Sequence, residues 1–136
     1  MKEKLIAALE KSAGYTLEVA SAMPEASYDF KPAASVWNFN ELMNHVAYTI
    51  QWMQENYFRR ITTDWNPPVP FAGKKEVVDY ISGSYHSLKE ELNSLKEINP
   101  DQLIAVFSIL EHSAHHRGQA TTYLRCNNIQ PPEYPF

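Results

Sequence analysis

The sequence predicts an all-α protein, a four-helix bundle formed as one domain over residues 1–136. Three observations carry that prediction. The chain holds only 4 glycines, too few for a turn-rich β architecture. Its long segments are built from strong helix formers, with apolar residues returning every three or four positions. Prolines and asparagine caps then divide the chain into four helical runs joined by loops. With 44% apolar and 21% charged residues the chain belongs to the globular class, and 136 residues suffice to bury a sizeable core.

The first helix is expected from about Lys2 to Met23, with Leu5, Ile6, Leu9, Ala13, Leu17 and Ala20 as its apolar stripe. Pro24 ends it, and Pro24 to Trp37, holding two prolines and no long period, reads as a structured loop. Asn38 caps the second helix, with Glu41 three residues on completing a capping box. Its stripe of Leu42, His45, Val46, Thr49, Trp52 and Met53 carries the helix to about Arg60. A second loop, Thr62 to Gly73, is marked by Pro67, Pro68 and Pro70. The third helix is expected from Lys74 to Ile98, with Val77, Ile81, Tyr85, Leu88, Leu92 and Leu95 along one side. Asn99 caps the fourth, Pro100 takes its first position, Gln102 is the capping partner, and the helix runs to about Cys126. The short link between the third and fourth helices predicts an antiparallel, adjacent pair.

Composition excludes several functions. The single cysteine, Cys126, makes no intrachain disulfide, and Met1-Lys2-Glu3-Lys4 leads straight into an amphipathic pattern without a signal-like start. A reducing cytoplasm is therefore the expected compartment. No apolar run reaches membrane-spanning length. The net charge is -4, and the pairs Arg59-Arg60 and Lys74-Lys75 stand alone, which argues against a nucleic-acid partner.

Three of the 5 histidines fall in the run Glu111-His112-Ser113-Ala114-His115-His116. At about 100° per residue, His112 and His116 lie within roughly 40° of each other on one helix face, the spacing by which two imidazoles reach a common metal. Ala105, Ile109, Gln119 and Tyr123 share that face, which therefore points into the bundle. His45, mid-stripe on the second helix, is the leading candidate for a third ligand. Three neutral imidazoles leave coordination positions open, the catalytic pattern, whereas one cysteine cannot complete a closed structural zinc site. Spacing alone leaves the ordinary alternatives standing. A lone buried histidine such as His45 is more often a hydrogen-bonded core residue than a ligand. His115, on the other side of His112, reads equally as ligand, supporting partner or surface residue, and His86 as exposed or at a helix contact.

The stretch His112-Ser113-Ala114-His115-His116-Arg117-Gly118-Gln119, followed by Tyr123-Leu124-Arg125 and Pro131-Pro132, resembles the DinB (YfiT-like) family. So does His45 within Glu41-Leu42-Met43-Asn44-His45 behind Trp37. The resemblance covers most of the chain in order and spacing. It implies a four-helix bundle that commonly dimerises, holding a divalent ion, zinc or nickel foremost, through one histidine of the second helix and two of the fourth. Carried over by position, those are His45, His112 and His116. Characterised relatives include thiol S-transferases using bacillithiol or a similar low-molecular-weight thiol, and a mycothiol-dependent isomerase; many others have no known activity. The link near Glu97 to Asn99 is shorter than in many relatives, where a longer segment lies close to the metal. The Pro-rich loop from Asp64 to Phe71 is the segment that can serve in its place.

The resulting expectation is metal-assisted transfer of a low-molecular-weight thiol to an electrophilic small molecule, with Tyr123 orienting that substrate and Gln119 hydrogen-bonding a bound water or ligand. Ordinary packing explains both residues as well. Metal-dependent hydrolysis is the second expectation, with Glu41, one turn from His45, as base, although its capping role already accounts for it. A non-catalytic metal- or ligand-binding bundle is the third. Opposite the histidines, Leu103, Phe107, Leu110 and Ala114 form a second apolar strip on the fourth helix. That strip predicts a homodimer, unless the loop from Pro24 to Trp37 folds over it.

Overall fold

Asn38 and Asn99 each start a helix through a reciprocal capping box. The Asn38 side chain accepts from the Glu41 backbone N–H at 2.8 Å while Glu41 Oε2 accepts from the Asn38 N–H at 2.8 Å. Asn99 and Gln102 do the same at 2.9 and 3.0 Å. In the computed structural model, which describes residues 1–135, the chain forms α1 (Lys2–Ala22), α2 (Phe39–Met53), α3 (Lys74–Ser94) and α4 (Pro100–Cys126), with no strand among the described residues. The core is one cluster, in which Leu9, Val19, Phe39, Leu42, Ile50, Ile81, Leu88, Ile109 and Leu124 are nearly inaccessible. No helix among the described residues is long and apolar enough to cross a membrane.

Side-chain pairings set the directions of the helices. Lys2 Nζ reaches the Asn93 and Leu95 carbonyls, and Lys74 Nζ the Ser21 carbonyl, so α1 and α3 are antiparallel. Tyr80 meets Gln51, and Ser87 and Glu91 meet Gln54, so α2 and α3 run parallel. Arg117 meets Ser12 and Thr16, while Tyr123 reaches Trp37 beside the start of α2, which makes α4 antiparallel to α2. Each of α1 and α2 packs against both α3 and α4. The expectation that α3 and α4 are adjacent is thus corrected: they are antiparallel but diagonal. The reason is that α3 ends at Ser94, not Ile98. Leu95 turns extended (φ -72°, ψ 137°), and the five-residue stretch 95–99 has the reach to cross the bundle end.

Two further expectations need revision. The buried face of α1 is Leu5, Leu9, Ser12, Tyr15, Thr16, Val19 and Ala20, whereas Ile6, Ala13 and Leu17 sit at its edge. Ser12 and Thr16 bury because their hydroxyls have partners: Ser12 Oγ lies 3.0 Å from the Tyr85 hydroxyl, and Thr16 Oγ1 donates to the Ser12 carbonyl at 2.7 Å. The end of α2 widens into a π turn over Gln54–Phe58, where the Arg59 N–H bonds the Gln54 carbonyl at 3.1 Å. Gln54 and Phe58 are both buried there, and Gln54 Nε2 bonds Ser87 and Glu91 of α3. Arg60 then takes a positive φ of 56°, and the chain doubles back along α2.

Candidate metal centre

Histidines 112 and 116 lie one turn apart on α4, and α2 packs against that face, bringing His45 to them. His112 Nε2 lies 2.9 Å from His45 Nε2 and 3.1 Å from His116 Nε2, and ligand atoms of all three lie within 4.8 Å of one another. His116 Nδ1 meets Gln119 Oε1 at 2.7 Å. A carboxamide oxygen only accepts, so Nδ1 carries the proton and Nε2 presents its lone pair to the cluster. His112 Nδ1 is buried without a partner among the described residues. Three converging imidazole nitrogens are a donor set suited to a divalent transition metal, and tetrahedral ligands about 2.0–2.1 Å from zinc stand about 3.4 Å apart. The two short separations would open slightly to accept such an ion, and the third pair of ligand atoms, within 4.8 Å, would close. His115 is exposed and touches the site only through its ring, 4.8 Å from that of His116. His86 is exposed on α3.

Burial keeps the cluster neutral. It pushes the His45 imidazole down to about 4, with the adjacent His116 adding to the effect. His112 is likewise taken to about 4, first by burial and then by His116, His45 and His115. Burial lowers His116 too, opposed by its bond to Gln119. Neutral imidazole is the ligating form.

Aromatic side chains from two loops cover the site. The Trp37 ring stands 4.6 Å from His45 and 6.0 Å from His116, and the Trp65 ring 5.7 Å from His45. The hydroxyl of Tyr123 donates to the Trp37 carbonyl at 2.8 Å, so Tyr123 anchors the first of these loops. That loop lies at the histidine end of α4 and leaves Phe107 of the expected strip 56% exposed, while Leu103 and Leu110 of that strip pack partly against the core. Its expected alternative role as a cover for the strip is thereby excluded.

The second loop is held by residues that motif reading missed. Asn44, Tyr48, Trp52 and Asn56 recur every four positions along α2 and the π turn that follows it, and each bonds the returning chain. Asn44 pairs with both the N–H and the C=O of Phe71, at 2.9 and 3.1 Å. The Tyr48 hydroxyl accepts from the Asn66 N–H, Trp52 Nε1 donates to the Thr63 carbonyl, and Asn56 bonds the Thr63 N–H and hydroxyl. This ladder lays Pro67, Pro68 and Pro70 over a cavity of about 190 Å³ that reaches His45, with Trp37, Glu41, Tyr48 and Tyr80 among its other walls. The four-residue spacing of polar and aromatic side chains was the available signal.

The sequence profile of the DinB superfamily matches residues 8–120, a span that contains His45, His112, His116 and Gln119. Among solved structures, a DinB-like protein from Bacillus cereus ATCC 10987 superposes with a TM-score of 0.82 at 17% identity, covering 96% of this chain and 95% of that one. At that identity the likeness is one of fold. No curated protein matches the sequence.

Proposed function

The chain belongs to the DinB superfamily, and from that premise we propose that it is a metal-dependent enzyme transferring a low-molecular-weight thiol to an electrophilic small molecule. His45, His112 and His116 would hold one divalent ion, zinc or nickel. The supporting observation is the convergence of the three half-buried to buried imidazoles beside a cavity that reaches His45. A divalent ion so held would supply Lewis acidity, which lowers the pKa of a bound thiol or water.

The protein's own contributions are positioning and exclusion of water. Gln119 fixes the His116 tautomer, and Trp37 and Trp65 shield the imidazoles from solvent. The cavity beside His45 gives the electrophile its place. In the transfer, the thiol proton is lost, a C–S bond forms, and the electron pair of the broken bond leaves with the electrophile's departing group. Tyr123 acts through Trp37 in this scheme, as a positioning residue. Hydrolysis is the second reading, supported by Glu41, the one acid among the cavity's lining residues, whose carboxylate would take a proton from water. Turnover that requires added thiol supports transfer, and turnover without it supports hydrolysis. Metal content without turnover over a broad electrophile panel supports a binding role instead.

We further propose a homodimer in which a second copy covers the exposed Ile104 and Phe107 on α4. Elemental analysis of untagged protein against His116→Ala tests the metal site. Close to one transition-metal ion per chain, lost in the variant, is the expected result. No metal in either protein after reconstitution with zinc or nickel would overturn the proposal.

A further inference from the structure

Arg117 follows His116 on α4 but serves the opposite side of the helix, against α1. It is only 6% exposed. Its hydrogen bonds all run through Nη1, to the Ser12 carbonyl at 3.2 Å, Ser12 Oγ at 2.6 Å and Thr16 Oγ1 at 3.1 Å. The guanidinium carbon lies 5.4 Å from the centre of the Tyr15 ring. Nε is buried with no partner among the described residues. No Asp or Glu among the described residues forms an ion pair with it.

Hydroxyls, a carbonyl and a π face solvate a cation in part, but none of them neutralises it. A guanidinium taken out of water without a counter-charge carries an uncompensated desolvation penalty, which a bound anion removes. A cavity of about 210 Å³ opens between α1 and α4 at this point, with Lys11, Ser12, Tyr15, Leu110, Ala114 and Arg117 in its wall. Both charged residues in its lining, Lys11 and Arg117, are cationic. The cavity beside His45 has the opposite character, with Glu41 as its one charged wall residue.

We propose that the cavity between α1 and α4 is an anion site for the carboxylate or phosphate head of a small molecule. Arg117 is its buried anchor and Lys11 its rim charge. Nη2, which makes none of these bonds, is left to donate to a carboxylate or phosphate oxygen, with Nε enclosed beside it. Ser12 and Thr16 hold the guanidinium in place before the anion arrives, which limits the ordering cost of binding. Leu110 and Ala114 give an apolar flank to the rest of such a molecule. This site stands independently of the metal centre, since it lies on the other side of α4 and shares no lining residue with the cavity beside His45.

The test follows the Arg117 Nε–H signal in the 15N spectrum of the full chain, identified by its loss in Arg117→Lys. Sodium acetate, sodium phosphate and sodium chloride are titrated at constant ionic strength. Acetate or phosphate should produce a saturable shift with a midpoint of roughly 1–10 mM, the range of a small weak ligand, while chloride produces none. The tighter of the two identifies the head group as planar carboxylate or tetrahedral phosphate. Lys11→Glu, at an exposed position that leaves the fold intact, should raise the midpoint about tenfold, equivalent to about 1.4 kcal/mol. If Arg117→Lys does not fold, the same titration is read from the Ser12 and Tyr15 backbone amides, and Lys11→Glu remains the control. The same unsaturating drift in all three salts, or an unchanged midpoint in Lys11→Glu, would overturn the proposal.

Discussion

His116 is fixed from both ends of its ring, by Gln119 at Nδ1 and by the cluster at Nε2. Gln119 is exposed, so its removal should act on the imidazole and hardly on the fold. Gln119→Leu is expected to weaken zinc or nickel binding about 10–100-fold, measured by chelator competition, because the outer partner of a ligating histidine sets its tautomer and basicity. Its melting midpoint should stay close to wild type. A large loss of stability with unchanged metal affinity would contradict this role. The cluster also fixes a pH dependence. Folded His45 and His112 titrate near 4, against 6.5 for the ordinary side chain, so between those values the unfolded chain binds more protons. Stability of the ion-free protein is therefore on its plateau above pH 6.5 and falls as the pH drops from 6.5 towards 4. Urea midpoints across that interval check it, and His45→Gln should flatten the slope.

The ladder on α2 joins local sequence to the shape of the site at the scale of an element. Asn44 is 6% exposed, and its carboxamide is the partner of both backbone groups of Phe71. Asn44→Ala leaves these groups without a protein partner and should cost about 1–3 kcal/mol. Its more specific effect is on the loop between Arg60 and Gly73. Limited proteolysis should cut that loop faster in Asn44→Ala than in wild type, and Trp65 emission should move towards that of solvent-exposed indole. Equal cleavage rates would show that the other rungs suffice. The capping boxes at Asn38 and Asn99 were readable because their partners lie three residues away. The ladder was not, because its partners lie 7 to 27 residues away along the chain. Ser12 and Thr16 of α1 illustrate the same limit. Hydropathy puts them outside the apolar stripe, and only their meeting with Tyr85 and Arg117 puts them in the core.

At the scale of the whole molecule, the returning loop makes α2 and α3 parallel, and the stretch 95–99 carries the chain across to set α3 and α4 on a diagonal. This arrangement gives α4 two different neighbours, α2 on the histidine side and α1 on the arginine side. Its third face, with Ile104 and Phe107, is left outside. Phe107→Glu should convert a dimer to a soluble monomer, seen as a later elution volume and half the mass by light scattering. A wild-type chain that already runs as a monomer would contradict the proposed dimer. Because Phe107 is 56% exposed, the variant should otherwise keep its thermal midpoint at low protein concentration.

The sequence by itself determined the helices, their caps and the shared face of His112 and His116, since each depends on residues no more than one turn apart. It also pointed to His45 as the histidine of α2 on an inward stripe. Tertiary structure alone decided that His45 meets the other two and that α3 and α4 are diagonal. It likewise decided that α2 binds the returning loop and that a buried arginine has hydroxyls, and no carboxylate among the described residues, as its partners. Periodicity fixes which way a side chain faces on its own helix. What stands opposite depends on packing between helices, and packing is set by the whole chain at once.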